Sequence, residues 1–239
     1  MNGIGVASYI PTDRIRRTYP VYHILTKEEI QGLFRAIDDY TPSRPSMDTA
    51  RMASEYGVIF RLILSTGLRR TEAATIRVQD IDWAVHSIAI YNAKGKKDRL
   101  VYMSEDMAMI CREYLNNLQR MIGFESFWLF PGVDSSKHVS PGSLTILFRR
   151  LWLSTSFAAS SEKNPTIHSL RHVYVVFRMN IWIEQGVDLN VMMTYLSRHL
   201  GHKTPKETFY YYHQVSEAFK AICLRDTVAP AVLPEVRIK

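Results

Sequence analysis

The stretch on which the reading of this chain turns is "HSLRHVYVVF", residues 168–177. Read as a helix, it puts His168, Arg171 and His172 on one face, because residues three and four apart are neighbours there. Two histidines at that spacing are also the geometry of a zinc helix. The glutamate that such a helix uses as a base is missing, and an arginine stands between the pair. A guanidinium beside the imidazoles repels a divalent cation and attracts phosphate. A second basic, histidine-rich pentapeptide, "RHLGH", follows at 198–202, so His199 and His202 keep metal ligation open as an alternative.

"STGLRRTEAATIRVQDID", residues 65–82, sets Gly67 just before Arg69. The glycine frees the backbone, so Arg69 leaves a tight turn at a helix start, where bare N–H groups suit an anion. Its planar fork fits two phosphate oxygens. Glu72, three residues on, can brace that helix start. "AKGKKDR", residues 93–99, crowds Lys94, Lys96, Lys97 and Arg99 into one hairpin turn. From there a lysine can reach a phosphate or pass a proton. In "LGHKTPKETFYYYHQ", residues 200–214, Gly201 ends a helix, His202 sits in the turn and a helix restarts at Pro205. Adjacent helical residues point in different directions, so only one of Tyr210, Tyr211 and Tyr212 can face a given pocket. Taken singly, these stretches are equally a solvated helix end, an exposed charged turn and packed aromatics.

The remainder of the sequence narrows the class. At 239 residues and 46% hydrophobic, the chain can bury one large domain's core. A net charge of +7 favours an anionic partner, nucleic acid being the commonest. No run of eighteen apolar residues predicts a membrane span, and the first twenty residues lack a signal peptide's apolar core and cleavage site. Cys111 and Cys223 read as reduced, small hydrophobes of a cytosolic protein.

The pattern predicts a mainly α chain with a small antiparallel β-sheet, an α+β fold. Thr26 and Glu29 form a capping box ahead of Ile30, Leu33, Phe34 and Ile37 at helical spacing. Prolines and serines make 39–48 a loop, and a long helix follows over about 50–64 until Thr66-Gly67 breaks it. Residues 87–91 and 100–102 form a hairpin around "AKGKKD". Helices are expected at 105–121, 141–152, 168–185 and 189–196, with one carrying the tyrosines and a last amphipathic one at about 216–224. Residues 1–24 read as a basic lead-in, 25–226 as the main domain and 227–239 as a Pro-broken tail.

Together and in order, these pieces resemble the catalytic domain of the tyrosine recombinases, the phage-integrase family. "TGLRRTEA" resembles its first-arginine box, "AKGKKDR" its hairpin lysine box, "HSLRH" its H-x-x-R box, and "LGH" with a tyrosine nine residues later its last two. The resemblance runs over about residues 25–222 and implies site-specific cleavage and rejoining of double-stranded DNA through a 3′-phosphotyrosyl link, without metal or ATP. It implies that Arg69 and Arg171 hold the non-bridging oxygens and that His168 bonds the phosphate and helps take the tyrosine's proton. His202 adds a hydrogen bond, Lys94 protonates the leaving 5′-oxygen, and Tyr211 is the nucleophile, with Glu72 and His172 in support. It further implies a tetramer on paired DNA sites, a cytoplasmic setting in a bacterium, phage or mobile element, and no cofactor. Two features depart from the pattern. Where the family usually carries an N-terminal DNA-clamping domain only a short basic lead-in precedes the catalytic part, which reads either as a minimal member or as a fragment of a longer protein, and the segment between Arg171 and His202 is somewhat long. Rival readings are a type IB topoisomerase, a non-catalytic DNA-binding regulator on the same fold, and a metal-dependent hydrolase.

Overall fold

The computed structural model describes residues 23–44, 46–93, 97–161, 163–202, 206–209 and 211. The lead-in, Lys94 to Lys96, Tyr210, Tyr212, the expected helix at 216–224, Cys223 and the tail lie outside these residues. Helix α1, Lys27–Asp38, begins at the expected capping box. Glu29 N–H donates to Thr26 Oγ1 at 3.2 Å, and Thr26 N–H donates to Glu29 Oε2 at 2.8 Å. Leu33 and Ile37 on its inner face are fully buried.

Helix α2, Met47–Thr66, starts three residues before the expected 50 because Ser46 and Thr49 cap it reciprocally. It ends where expected, at Gly67 in the left-handed conformation. This helix is the spine of the core, with Ile59, Phe60, Leu62 and Ile63 all excluded from water. Each such side chain contributes about 1.5–3 kcal/mol of transfer free energy. Among them sits a polar cluster that helical periodicity hides. Arg51 pairs with Glu55 at 3.3 Å and donates to the carbonyls of Pro131 and Gly132, while Tyr114 donates to Glu55. Burial outweighs the attraction of Arg51 and pushes the Glu55 carboxyl up to about 8.

After the short helix α3, Arg70–Ala74, comes a 3-10 turn, Val78–Asp80. The sheet has three antiparallel strands, β1 (Ile81–Asp82), β2 (Ser87–Ala93) and β3 (Lys97–Tyr102), in that order. The two-residue β1 is an addition to the expected hairpin, and two residues are too few for a periodic signal. Ile88 and Ile90 face inward. Arg99 pairs with Ile90 across the ladder and shares that inward face.

Helices α4 (Glu105–Ile122) and α5 (Pro141–Leu153) complete the main layer. Helix α6, Ile167–Glu184, then links two apolar clusters. Its Ile167 and Leu170 belong to the main core. Its Tyr174, Val175 and Met179 join Met193, Leu196 and Leu200 of α7 (Leu189–Leu200) in a second cluster. A short α8, Lys206–Phe209, precedes Tyr211. Arg171 is therefore planted at the seam between the two cores.

Candidate active site

Arg171 is 1% exposed, so its charge needs fixed partners. It finds them in backbone carbonyls rather than carboxylates. Nη1 donates to Gly67 O at 2.6 Å and Nη2 to Leu200 O at 2.8 Å, and Nη2 also lies 3.1 Å from His202 Nε2. Burial, then the charge of Arg69, draws its proton affinity down to about 10. Its Nε is buried and has no hydrogen-bond partner among the described residues. Gly67 makes the approach possible. Its φ is +68°, and a Cβ there would stand 2.5 Å from the Tyr174 ring.

Arg69 caps α3. Its backbone N–H and Nη1 both donate to the Glu72 carboxylate at 2.8 Å, and Nη2 donates to Gly201 O at 3.0 Å. Arg99, which the sequence reading leaves among the turn cations, completes the clamp. It grips both oxygens of Glu72 at 3.0 and 2.7 Å, and its Nε donates to His199 O at 2.7 Å. Burial alone would raise the Glu72 carboxyl, but the hydrogen bonds and charge of Arg99, then the bonds from Arg69, hold it at about 2. Strand alternation could have flagged Arg99, since it stands two residues before the buried Val101. Its partner could not have been read from the sequence.

His202 Nδ1 lies 2.7 Å from Thr208 Oγ1, and its Nε2 faces Arg171. A guanidinium only donates, so Nε2 accepts and the ring proton sits on Nδ1. Burial and then Arg171 and Arg69 depress this imidazole to about 3. His199 is a buried core residue, its Nε2 within hydrogen-bond reach of Thr66 O and the Tyr174 hydroxyl. Among the described residues, no three His, Cys, Asp or Glu side chains group around a point that could hold a metal.

The Tyr211 hydroxyl is 2.6 Å from His172 Nδ1, and its ring packs in the second cluster. The sequence reading gives that contact to His168. In the structure His168 stands edge-on to His172, ring centroids 4.6 Å apart, one turn nearer the exposed start of α6. Tyr211 lies beside Tyr174 and Val175, and His172 is the histidine at that level of the helix. His172 is depressed to about 3 by burial and then by His168 and Arg171. His168 is lowered to about 4 by burial and then by Arg171 and Arg69. Because His168 is open to water, its charged form is better screened than that of His172. The structure thus brings Arg69, Glu72, Arg171, His172, His202 and Tyr211 into one hydrogen-bonded neighbourhood, with His168 at its rim. Lys94 lies outside the described residues.

A family model described as the phage integrase family matches residues 23–218. The chain belongs to that family. Within it, the chain is 28% identical over 211 residues to a tyrosine recombinase of Thermosipho africanus, covering 87% of this chain and 63% of that protein. It is 24% identical over 198 residues to the tyrosine recombinase XerC of Staphylococcus aureus, covering 83% and 59%. The chain thus spans less than two thirds of the length of these phage-integrase-family relatives. Among solved structures, XerA recombinase superposes with a TM-score of 0.58 at 22% identity, over 95% of this chain and 68% of that one. The catalytic domain of bacteriophage HP1 integrase gives 0.53 at 20% identity, over 89% of this chain and all of that domain. These likenesses show the catalytic-domain fold of the phage integrases, helix-rich with one small antiparallel sheet. Among the described residues no helix is long and apolar enough to cross a membrane.

Proposed function

We propose that the chain cleaves and rejoins double-stranded DNA as a site-specific recombinase, with Tyr211 as the covalent nucleophile. The observation that carries this reading is the position of the Tyr211 hydroxyl. It lies 2.6 Å from His172, on the helix whose preceding residue, Arg171, reaches His202 and Gly67. Solved neighbours such as XerH recombinase bound to difH DNA and λ integrase bound to a core site support DNA as the substrate.

In the reaction, the non-bridging oxygens of the scissile phosphate meet Arg69 and Arg171. Preorganised cations there stabilise the charge that builds up in the transition state. The Tyr211 oxygen attacks phosphorus as its proton passes to a neighbouring histidine. His172 is placed to receive it and His168 stands behind. An imidazole depressed to about 3 is a poor base, but the incoming phosphate anion raises the proton affinity of every imidazole around it. A bound phosphate also lets His202 take up a second proton and donate from Nε2. Lys94 delivers the proton to the departing 5′-oxygen. A 5′-hydroxyl of a second strand then reverses the attack, so the bond's energy is kept in the phosphotyrosine. The chain acts as a tetramer on paired sites, in the cytoplasm of a bacterial host.

Tyr211→Phe removes one oxygen and keeps the ring in its cluster. On nicked duplex DNA the variant should bind and form no adduct that survives SDS, while Tyr210→Phe and Tyr212→Phe still form it. An adduct from Tyr211→Phe, or relaxation of supercoiled DNA with no exchange between two sites, would overturn the assignment.

A further inference from the structure

Helix α7 ends in a closed turn. Gly201 is left-handed, with φ +64°, and its N–H donates to Arg198 O while His202 N–H donates to Ser197 O, both at 3.0 Å. The carbonyls that follow, those of His199, Leu200 and Gly201, lie beyond the last bonds of the helix. Three arginines from three other elements take them. Arg99 Nε of β3 donates to His199 O at 2.7 Å, Arg171 Nη2 of α6 to Leu200 O at 2.8 Å, and Arg69 Nη2, at the start of α3, to Gly201 O at 3.0 Å. Arg99 and Arg69 also share Glu72. Its Oε1 accepts from Nη1 of both, and its Oε2 accepts from Arg99 Nη2 and from the Arg69 backbone N–H. The bonds thus close a ring, from Arg69 through Glu72 and Arg99 to α7 and back. Gly201 lies against the Arg99 guanidinium, where a Cβ would stand 3.0 Å from Nη1 and 3.1 Å from Cζ.

We propose that Arg99 is a positioning residue for DNA cleavage, occupying the Glu72 carboxylate so that the charge of Arg69 stays available to the scissile phosphate. The inference rests on the cleavage reading and gives Arg99 a part in it. Arg99 acts through what it holds. All three of its nitrogens are bonded and its side chain is 8% exposed, against 20% for Arg69. One carboxylate between two guanidinium groups leaves a single positive charge over. Against the upward push of burial, the bonds and charge of Arg99 come before those of Arg69 in holding the Glu72 carboxyl at about 2. Without Arg99, Glu72 keeps Arg69 as its one hydrogen-bonded cation among the described residues. A guanidinium and a carboxylate left to themselves prefer the two-pronged pairing. Arg69 would then turn its fork to Glu72, give up Gly201 O and bring no net charge to the phosphate.

The test takes duplexes enriched from a random pool by the 239-residue chain and nicks them beside the bond that wild type cleaves. Formation of SDS-resistant adduct is timed in a single turnover at saturating protein. Unfolded protein lowers the amplitude of such a trace, whereas a misplaced arginine lowers its rate constant. Arg99→Met should lower the rate constant about 10-fold or more, short of the roughly 10²- to 10³-fold supplied by a donor aimed at the charge itself. In a Glu72→Gln background, where no carboxylate competes for Arg69, the same change should cost less than about 3-fold. Arg99→Gln, which can still donate to Glu72 but carries no charge, stands in where Arg99→Met does not fold. Arg99→Lys returns a cation to Glu72 without the fork and should recover part of the rate. An unchanged rate constant, an equal loss in both backgrounds, or no recovery with lysine overturns the role of Arg99 and leaves the cleavage reading standing. Wild type that forms no adduct on any enriched duplex overturns the cleavage reading itself, and this role with it.

Discussion

Glu72→Gln is the sharpest perturbation the pocket offers. The carboxylate accepts four bonds, two from Arg69 and two from Arg99, and its side chain is 8% exposed. Its affinity for a proton is held at about 2 instead of the usual 4.5. At about 1.4 kcal/mol per tenfold, that corresponds to roughly 3 kcal/mol of native-state stability at neutral pH. Solvent screening takes little from it at this depth. Glutamine has nearly the same shape, but its amide N–H₂ must face a guanidinium and its charge is gone. For a domain of this size the loss should appear as a melting temperature lower by roughly 6–12 °C. The sign with pH follows from the depressed carboxyl. Its contribution is complete above about pH 4.5 and is lost as pH falls towards 2. The gap between wild type and Glu72→Gln, followed by thermal melts from pH 7 downwards, should therefore hold steady and then close in acid. A variant that melts within about 2 °C of wild type at pH 7, or a gap indifferent to acid, would refute the clamp as an electrostatic device.

Glu55→Gln should behave oppositely. Burial keeps that carboxyl largely protonated at pH 7, so the variant should hold its melting temperature and gain on wild type as pH rises from about 5 to 8. A loss above about 2 kcal/mol would mean that Arg51 holds it ionised. Gly67→Ala forces a side chain into the left-handed region, which costs about 1–2 kcal/mol, and drives a Cβ into the Tyr174 ring. Both stability and DNA cleavage should fall, and a fully active, stable variant would show that the Gly67 carbonyl does not position Arg171. Lys94→Ala should slow cleavage by about 10²- to 10⁴-fold with binding nearly intact. A sulfur in the 5′-bridging position should restore the rate because a thiolate leaves without a proton, and failure to rescue would move the acid elsewhere.

Most helices and the two long strands were legible because their signals are local. The capping box at Thr26 and Glu29 and the break at Gly67 act within a few residues of themselves. The charged partners were not legible. The pairing of Arg51 with Glu55 lies inside an apolar helix, and the bonds from Arg171 to Gly67 and Leu200 join distant segments through carbonyls every residue possesses. The family resemblance points the tyrosine's proton to His168, and the sequence offers nothing further. It carried no information on which turn of α6 lies level with Tyr211, since that depends on how α7 and α8 pack.

The carbonyls that hold Arg171 lie at helix ends: Leu200 is the last residue of α7, and Gly67 caps α2. A helix presents the negative end of its dipole there, equivalent to roughly half a charge. Positive charge is thereby stored without an acid beside it. Of Arg69, Arg99, Arg171 and Glu72, three cations set against one anion leave a surplus of two. An arriving phosphate does not have to evict a carboxylate from Arg171 before it can bind. Among the described residues Arg171 has no ion pair for an approaching anion to break, and the pocket stands charged in advance.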